Sequence, residues 1–221
     1  MNLVEQGFTL IPDFISEADN SAILEALRHL PERDNAAGIR SIDRKIPCIH
    51  SYVNSAAFTA PIQHLLAPGA QLVRAILFNK TPTANWYVTW HQDKTVALSH
   101  FFADPAWRAW SLKDEVLHAQ PPQALLEQML TVRVHLDGAA RDNGCLKVIP
   151  GSHRLGVLSS EQIQEAVAVS TPVWCEAAPR TALVMCPLLI HASSKGSAPS
   201  QRRVLHLEFS DWALPAGIEW G

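Results

Sequence analysis

The sequence holds no run of basic residues, no Cys-x-x-Cys pair and no apolar stretch near the ~18 residues of a membrane helix. Each absence excludes something. With a net charge of −3 and no basic patch, nucleic acid is not an expected partner. Cys48, Cys145, Cys175 and Cys186 are scattered, so this is no Cys-dense disulfide scaffold; reduced thiols in a cytoplasmic protein are expected. The missing apolar stretch argues against a membrane partner, and Met1-Asn2-Leu3-Val4-Glu5 lacks the basic and apolar regions of a signal peptide. A Gly-x-Ser-x-Gly elbow is also missing. Pro150-Gly151-Ser152-His153 is therefore expected to be a structural turn, since adjacent residues are badly placed to act as nucleophile and base.

What is present describes a folded protein: 48% apolar and 18% charged residues in a chain of 221. No repeat or low-complexity linker divides it, and 1–221 is expected to form one domain. Residues 1–60 look mostly helical. Ser16 can cap a helix from Glu17 to Leu30, with Ile23, Leu24, Leu27 and Leu30 as its apolar stripe and Pro31 as its stop. Strand-like runs follow at 70–79 and 85–91. Residues 94–129 form a long excursion, read as an insertion or lid with a helix near 122–130. Within it, Trp107 and Trp110 at a spacing of three would share a helical face. Strands are expected again at 131–137, 145–149, 172–176, 181–186 and 202–210, and a helix from Ser159 or Ser160 to Val169. A helical start followed by many short strands implies a mainly β fold with flanking helices, an antiparallel barrel or jelly roll whose core spans 70–210.

The chemistry concentrates in His91-Gln92-Asp93, His191 and Arg202. Two His and one carboxylate on one face of a metal leave other positions open, as in non-haem Fe(II) oxygenases. An Arg beyond the second His can hold a carboxylate by a two-pronged hydrogen bond. Spacing alone decides little, because ten His and twenty-one acidic residues give about one His-x-acid triplet by chance. Three occur, the others being His135-Leu136-Asp137 and His206-Leu207-Glu208. Those two lie in alternating strand-like runs, where such pairs need no metal. His91 instead ends the aromatic run Trp86-Tyr87-Val88-Thr89-Trp90 and opens into a loop, where ligands are commonly presented. Alternation sends Arg202 and Arg203 to opposite faces and puts His206 and Glu208 on the face of Arg202.

Taken with these motifs, Arg133-Val134-His135-Leu136-Asp137, the segment Asp142-Asn143-Gly144-Cys145-Leu146-Lys147-Val148-Ile149-Pro150-Gly151-Ser152-His153-Arg154 and His191-Ala192-Ser193-Ser194 through Arg202 resemble the phytanoyl-CoA dioxygenase family. Gly7-Phe8 through Phe14-Ile15-Ser16 resembles its usual start, so the likeness runs over nearly the whole chain. The resemblance implies a double-stranded β-helix of the cupin-like kind, Fe(II), 2-oxoglutarate as co-substrate, and O₂. It implies that His91, Asp93 and His191 hold iron, that Arg202 pairs with the distal carboxylate of 2-oxoglutarate, and that Ser193 lies close to that group, with Asn79 in the same pocket. It also implies hydroxylation of a small organic molecule or acyl group with release of succinate and CO₂. Asp93 fills the position that related halogenases free for chloride, so oxygen transfer is expected. Relatives often have Gly in the turn that here reads Ala177-Ala178-Pro179-Arg180. Two other readings stay open: a non-redox Zn²⁺ or Mn²⁺ enzyme, and a non-catalytic metal-binding homologue. Substrate identity and oligomeric state are not written in the chain, nor whether Trp107, Trp110, His118, Gln120, His206 and Glu208 touch substrate.

Overall fold

A computed structural model describes residues 3–30, 38–113, 115–197 and 201–221. Two antiparallel sheets form the core. The larger has six strands, in the order β1 (Phe8–Ile11), β11 (Ala182–Met185), β8 (Leu130–His135), β13 (Arg202–Ser210), β3 (Gln71–Lys80) and β2 (Gly38–Arg40). The smaller has four, in the order β10 (Val173–Cys175), β9 (Leu146–Val148), β12 (His191–Ser193) and β4 (Val88–His91). This is the jelly-roll core that the pattern implies.

Alternation along the long strands gives the large sheet two buried faces with different contents. On its outer face Ala75, Leu77, Val132, Val134, Leu205, Leu207 and Phe209 meet the N-terminal helices in one apolar cluster. Those helices are α1 (Leu3–Gln6), α2 (Glu17–Arg28), α3 (Ile42–Lys45), α4 (Pro47–Val53) and α5 (Ala56–Thr59). Ser16 caps α2 by accepting from Asp19 N–H at 3.0 Å. The helix ends at Arg28, and the expected stop, Pro31, lies outside the described residues. Phe58 anchors the layer. It is fully buried, meets Phe14 and Tyr52 edge-on at 5.3 and 5.5 Å, and stacks on Phe209 at 5.6 Å. Truncation of such a ring to Ala costs about 3–5 kcal/mol. The inner face is polar: Arg74, Lys80, Arg133, Arg202 and His206 look into the barrel beside Ile76 and Phe78.

Residues 94–129 depart from expectation. In place of an irregular stretch, β5 (Val96–Leu98), β6 (Arg108–Lys113) and β7 (Val116–Gln120) form a third sheet in the order β5-β7-β6, followed by α6 (Gln123–Gln128). Trp110 therefore sits on a strand, Trp107 just precedes it, and no helical face is shared. Phe102 meets both rings edge-on, at 5.0 and 5.4 Å. These aromatics join a second core with Val73 of β3, Leu125 and Leu126 of α6, and Trp212 and Trp220 near the end of the chain. Residues 219–221 pair with the outer edge of β5 through Glu219 O, Ser99 N–H and Gly221 N–H. Between β9 and β10, α7 (Ser160–Ala168) starts from a reciprocal cap of Ser159 and Gln162. Ser152 is the structural turn expected: its hydroxyl donates to Ile149 O and accepts from Ile190 N–H.

Candidate metal centre

His91 closes β4 and His191 opens β12, and these two strands pair with His91 opposite His191. A three-residue strand such as β12 is too short to show as a pattern, yet it sets the geometry. The two imidazole centroids are 4.2 Å apart. Asp93 follows two residues after His91, held by its N–H on Pro187 O at 3.0 Å. Its Oδ1 is 3.7 Å from His91 Nε2, and its Oδ2 is 3.6 Å from His191 Nε2. Gln92 between them is buried and ties three segments together. It donates to Gly156 O and Leu188 O and accepts from Leu158 N–H.

The ring tautomers follow from the backbone. Each Nδ1 donates to the carbonyl two residues earlier, Thr89 O for His91 and Leu189 O for His191, both at 2.8 Å. That leaves both Nε2 lone pairs facing the carboxylate. Asp93 Oδ2 is buried with no hydrogen-bond partner. Two imidazole nitrogens and an orphaned carboxylate oxygen on one small volume fit a divalent transition metal. Burial pushes His191 down to about 3, so it is a neutral donor. Burial alone would raise the Asp93 carboxyl; the guanidinium of Arg74 is a charge that acts in the other direction and favours the carboxylate.

A second grouping, Asp93, His206 and Glu208, lies close by, but its donors are taken. Arg133 Nη1 donates to His206 Nδ1 at 2.7 Å, His206 Nε2–H donates to Glu208 at 2.8 Å, and Arg74 pairs with the same carboxylate. His135 is further removed still. Its Nδ1 bonds Thr181 O, and burial pushes it down to about 3.

The triad opens on a cavity of about 90 Å³ whose wall includes Lys80, Ser193 and Arg202. Arg202 is buried and its Nε lacks a partner; burial, then Arg133, lowers it to about 10. Arg203 turns the other way, into a two-pronged pair with Asp137 at 2.8 and 2.9 Å. Ser193 is in the pocket, but its hydroxyl donates to Gly144 O at 2.8 Å and accepts from Lys80 Nζ at 2.8 Å. Gly144 has φ 75°, and a Cβ there would meet Ser194 O at 2.4 Å, so only glycine allows this approach. Asn79 is a correction. Its register partner is Arg203, so it falls on the opposite face, where it accepts from Gln201 at 3.1 Å. Lys80, one residue on, is the group in the pocket, and sequence reasoning missed it. Burial, Arg202 and Arg133 lower its ammonium to about 8. Alternation through Arg74, Ile76 and Phe78 was the available signal.

The model of the phytanoyl-CoA dioxygenase family matches residues 3–204. The chain belongs to this family. Its enzymes use Fe(II) and 2-oxoglutarate. No curated protein sequence matches the chain. Among solved structures it is similar to EctD from S. alaskensis with 2-oxoglutarate and 5-hydroxyectoine, with 19% identity and a TM-score of 0.71 over 94% of this chain and 73% of that one. It is also similar to SnoK, a non-haem α-ketoglutarate-dependent carbocyclase from nogalamycin biosynthesis, at 15% identity and a TM-score of 0.68 over 95% and 81% of the two chains. HygX from Streptomyces hygroscopicus, with nickel and 2-oxoglutarate bound, is 13% identical with a TM-score of 0.67 over 94% and 83%. At these identities the likenesses establish the fold. No helix of the described residues is long and apolar enough to cross a membrane.

Proposed function

We propose that this phytanoyl-CoA dioxygenase family member is an Fe(II)- and 2-oxoglutarate-dependent hydroxylase of a small organic molecule. One observation carries the reading: two carbonyl-tethered imidazoles and an orphaned carboxylate converge beside a small pocket that ends in a buried Arg. His91, Asp93 and His191 are the metal ligands, and Arg202 anchors the distal carboxylate of 2-oxoglutarate, with Lys80 as a second cation. Bound Fe(II) would supply O₂ activation: one oxygen atom enters a substrate C–H bond as hydroxyl, the other enters succinate, and 2-oxoglutarate loses CO₂.

The protein's part is geometric and electrostatic. The two backbone carbonyls fix the imidazoles so that Nε2 faces inward. Gln92 locks the loop that carries Asp93. Arg202 presents a planar fork that suits a carboxylate, and burial strengthens the pair by excluding water. Ser193 holds Lys80 in place, and so acts by positioning. A non-redox reaction would leave the cationic end of the pocket without a purpose. The test is succinate release from 2-oxoglutarate by the purified chain with Fe(II) and ascorbate. Release lost in Asp93→Ala and restored only at much higher 2-oxoglutarate in Arg202→Lys supports the reading. A chain that binds iron yet releases no succinate with any substrate contradicts it.

A further inference from the structure

A second cavity, of about 500 Å³, lies against the first. Its size is that of a small-molecule pocket. Leu72, Trp212 and Trp220 share its walls with His118 and the charged Asp43, Arg44 and Glu219, and Arg74 lines both cavities. The interior around the metal ligands is over-supplied with positive charge. Four cations, Arg74, Lys80, Arg133 and Arg202, line the smaller cavity, whereas Asp93 and Glu208 are the carboxylates that meet them. Two positive charges are left over. A divalent metal adds two and the dicarboxylate of 2-oxoglutarate removes two, so the excess survives when both are bound. Unpaired buried charge is costly, and a further anion relieves it.

Arg74 is the cation that can receive that anion. Arg202 is committed to 2-oxoglutarate on the reading above, and Lys80 is held by Ser193 and Ser194 O. Arg133 donates to His206 and lies over the Phe78 ring at 5.4 Å. Arg74 gives only Nη2 to Glu208, and its Nε is buried without a partner. It is the residue that the walls of the two cavities share. Across the larger cavity, His118 donates Nδ1–H to Val116 O at 3.0 Å, which leaves Nε2 as an acceptor on the wall.

We infer that the substrate is a small, unesterified carboxylic acid. Its carboxylate pairs with Arg74, its body extends into the larger cavity, with an apolar part against Trp212 and Trp220, and a hydroxyl or amino group on that body donates to His118. This rests on the hydroxylase reading and sharpens it, because an acyl-CoA thioester has no free carboxylate to offer Arg74.

The test is equilibrium binding to the full chain loaded with Mn(II) and 2-oxoglutarate. Probes are phenylacetate and the straight-chain acids from butanoate to decanoate, each with its primary amide, together with phenylacetyl-CoA and phenyl phosphate. Loading is checked first: failure to bind Mn(II) and 2-oxoglutarate sinks the proposed function itself. In loaded protein at least one acid should bind ten-fold or more tighter than its amide and its thioester. That margin should vanish in Arg74→Gln and persist in part in Arg74→Lys. Because Arg74→Gln strands Glu208, the double variant Arg74→Gln/Glu208→Gln is measured beside it and should also show no margin. Equal binding of acids and amides, no binding of any acid, tighter binding of the thioester or the phosphate, or a margin that survives in the double variant would each overturn the inference.

Discussion

The two cavities that meet at Arg74 are built in different ways. The smaller is made almost wholly from paired strands, β3, β4, β8, β12 and β13, whose registers fix every side chain to within the ladder geometry. The larger is walled on one side by β3, from Gln71 to Ala75, and otherwise by added segments: α3, the sheet of residues 96–120 and the chain after β13. One is small and cationic; the other is roomier and mixed, with Arg40, Asp43, Arg44 and Glu219 standing among Trp and aliphatic groups. On the proposed function, the contrast assigns co-substrate chemistry to the barrel and selectivity to the segments attached to it. A jelly roll can thus keep the first and change the second by altering loops.

The largest effect that bears on this contrast is loss of the metal. His191→Ala or Asp93→Ala should abolish turnover and weaken Fe(II) binding at least a hundred-fold, or about 2.8 kcal/mol at ~1.4 kcal/mol per decade. His135→Ala should keep the iron. Metal titration of the three variants checks it, and iron loss in His135→Ala with retention in His191→Ala would reverse the assignment. Trp107→Ala, which empties a buried aromatic site packed in one cluster with Trp212 and Trp220 of the larger cavity's wall, should cost about 3–5 kcal/mol in chemical unfolding. His118→Ala should instead spare stability and lower product formation more than uncoupled succinate release. Parallel losses in both assays would erase the distinction between the two cavities.

Arg202→Lys should raise the 2-oxoglutarate requirement ten-fold or more, since an ammonium replaces a fork, while Arg203→Lys leaves it unchanged. Lys80 adds a pH dependence. Its ammonium, lowered to about 8, is charged below that pH and neutral above it. Binding of 2-oxoglutarate should therefore weaken as pH rises through about 8, and Lys80→Met should flatten that limb of the profile. The smallest effect expected is from Arg180→Gly. Arg180 has φ 71°, where a side chain is strained, and its bridge to Asp13 is largely solvent-exposed. Glycine should raise stability by about 1 kcal/mol in denaturant titration.

The same contrast marks what was legible in the sequence. Alternation along 202–210 placed Arg202, His206 and Glu208 inward and Arg203 outward, because a period of two leaves no freedom once one face is apolar. The His91, Asp93 and His191 grouping could be read because its members sit at strand ends with polar neighbours. Asn79 was misplaced by one residue, and in a strand one residue is the whole difference between faces. The Arg74–Glu208 pair spans 134 positions and exists only through the β3–β13 register. Residues 94–129 read as irregular because their short strands pair with one another around a core shared with distant Val73, Leu188 and Trp212, and Ala109 at φ 52° breaks the period inside β6. The larger cavity, assembled from distant segments, left no local pattern to find.

The central claim, that the smaller cavity binds a metal and 2-oxoglutarate together, is tested most directly by anaerobic absorption spectroscopy. Fe(II) and 2-oxoglutarate added together to the native chain should produce a visible charge-transfer band that neither gives alone. The band should be lost in His191→Ala and should need at least ten-fold more 2-oxoglutarate in Arg202→Lys. A native chain that binds both without the band, or a band undiminished in His191→Ala, would contradict the account.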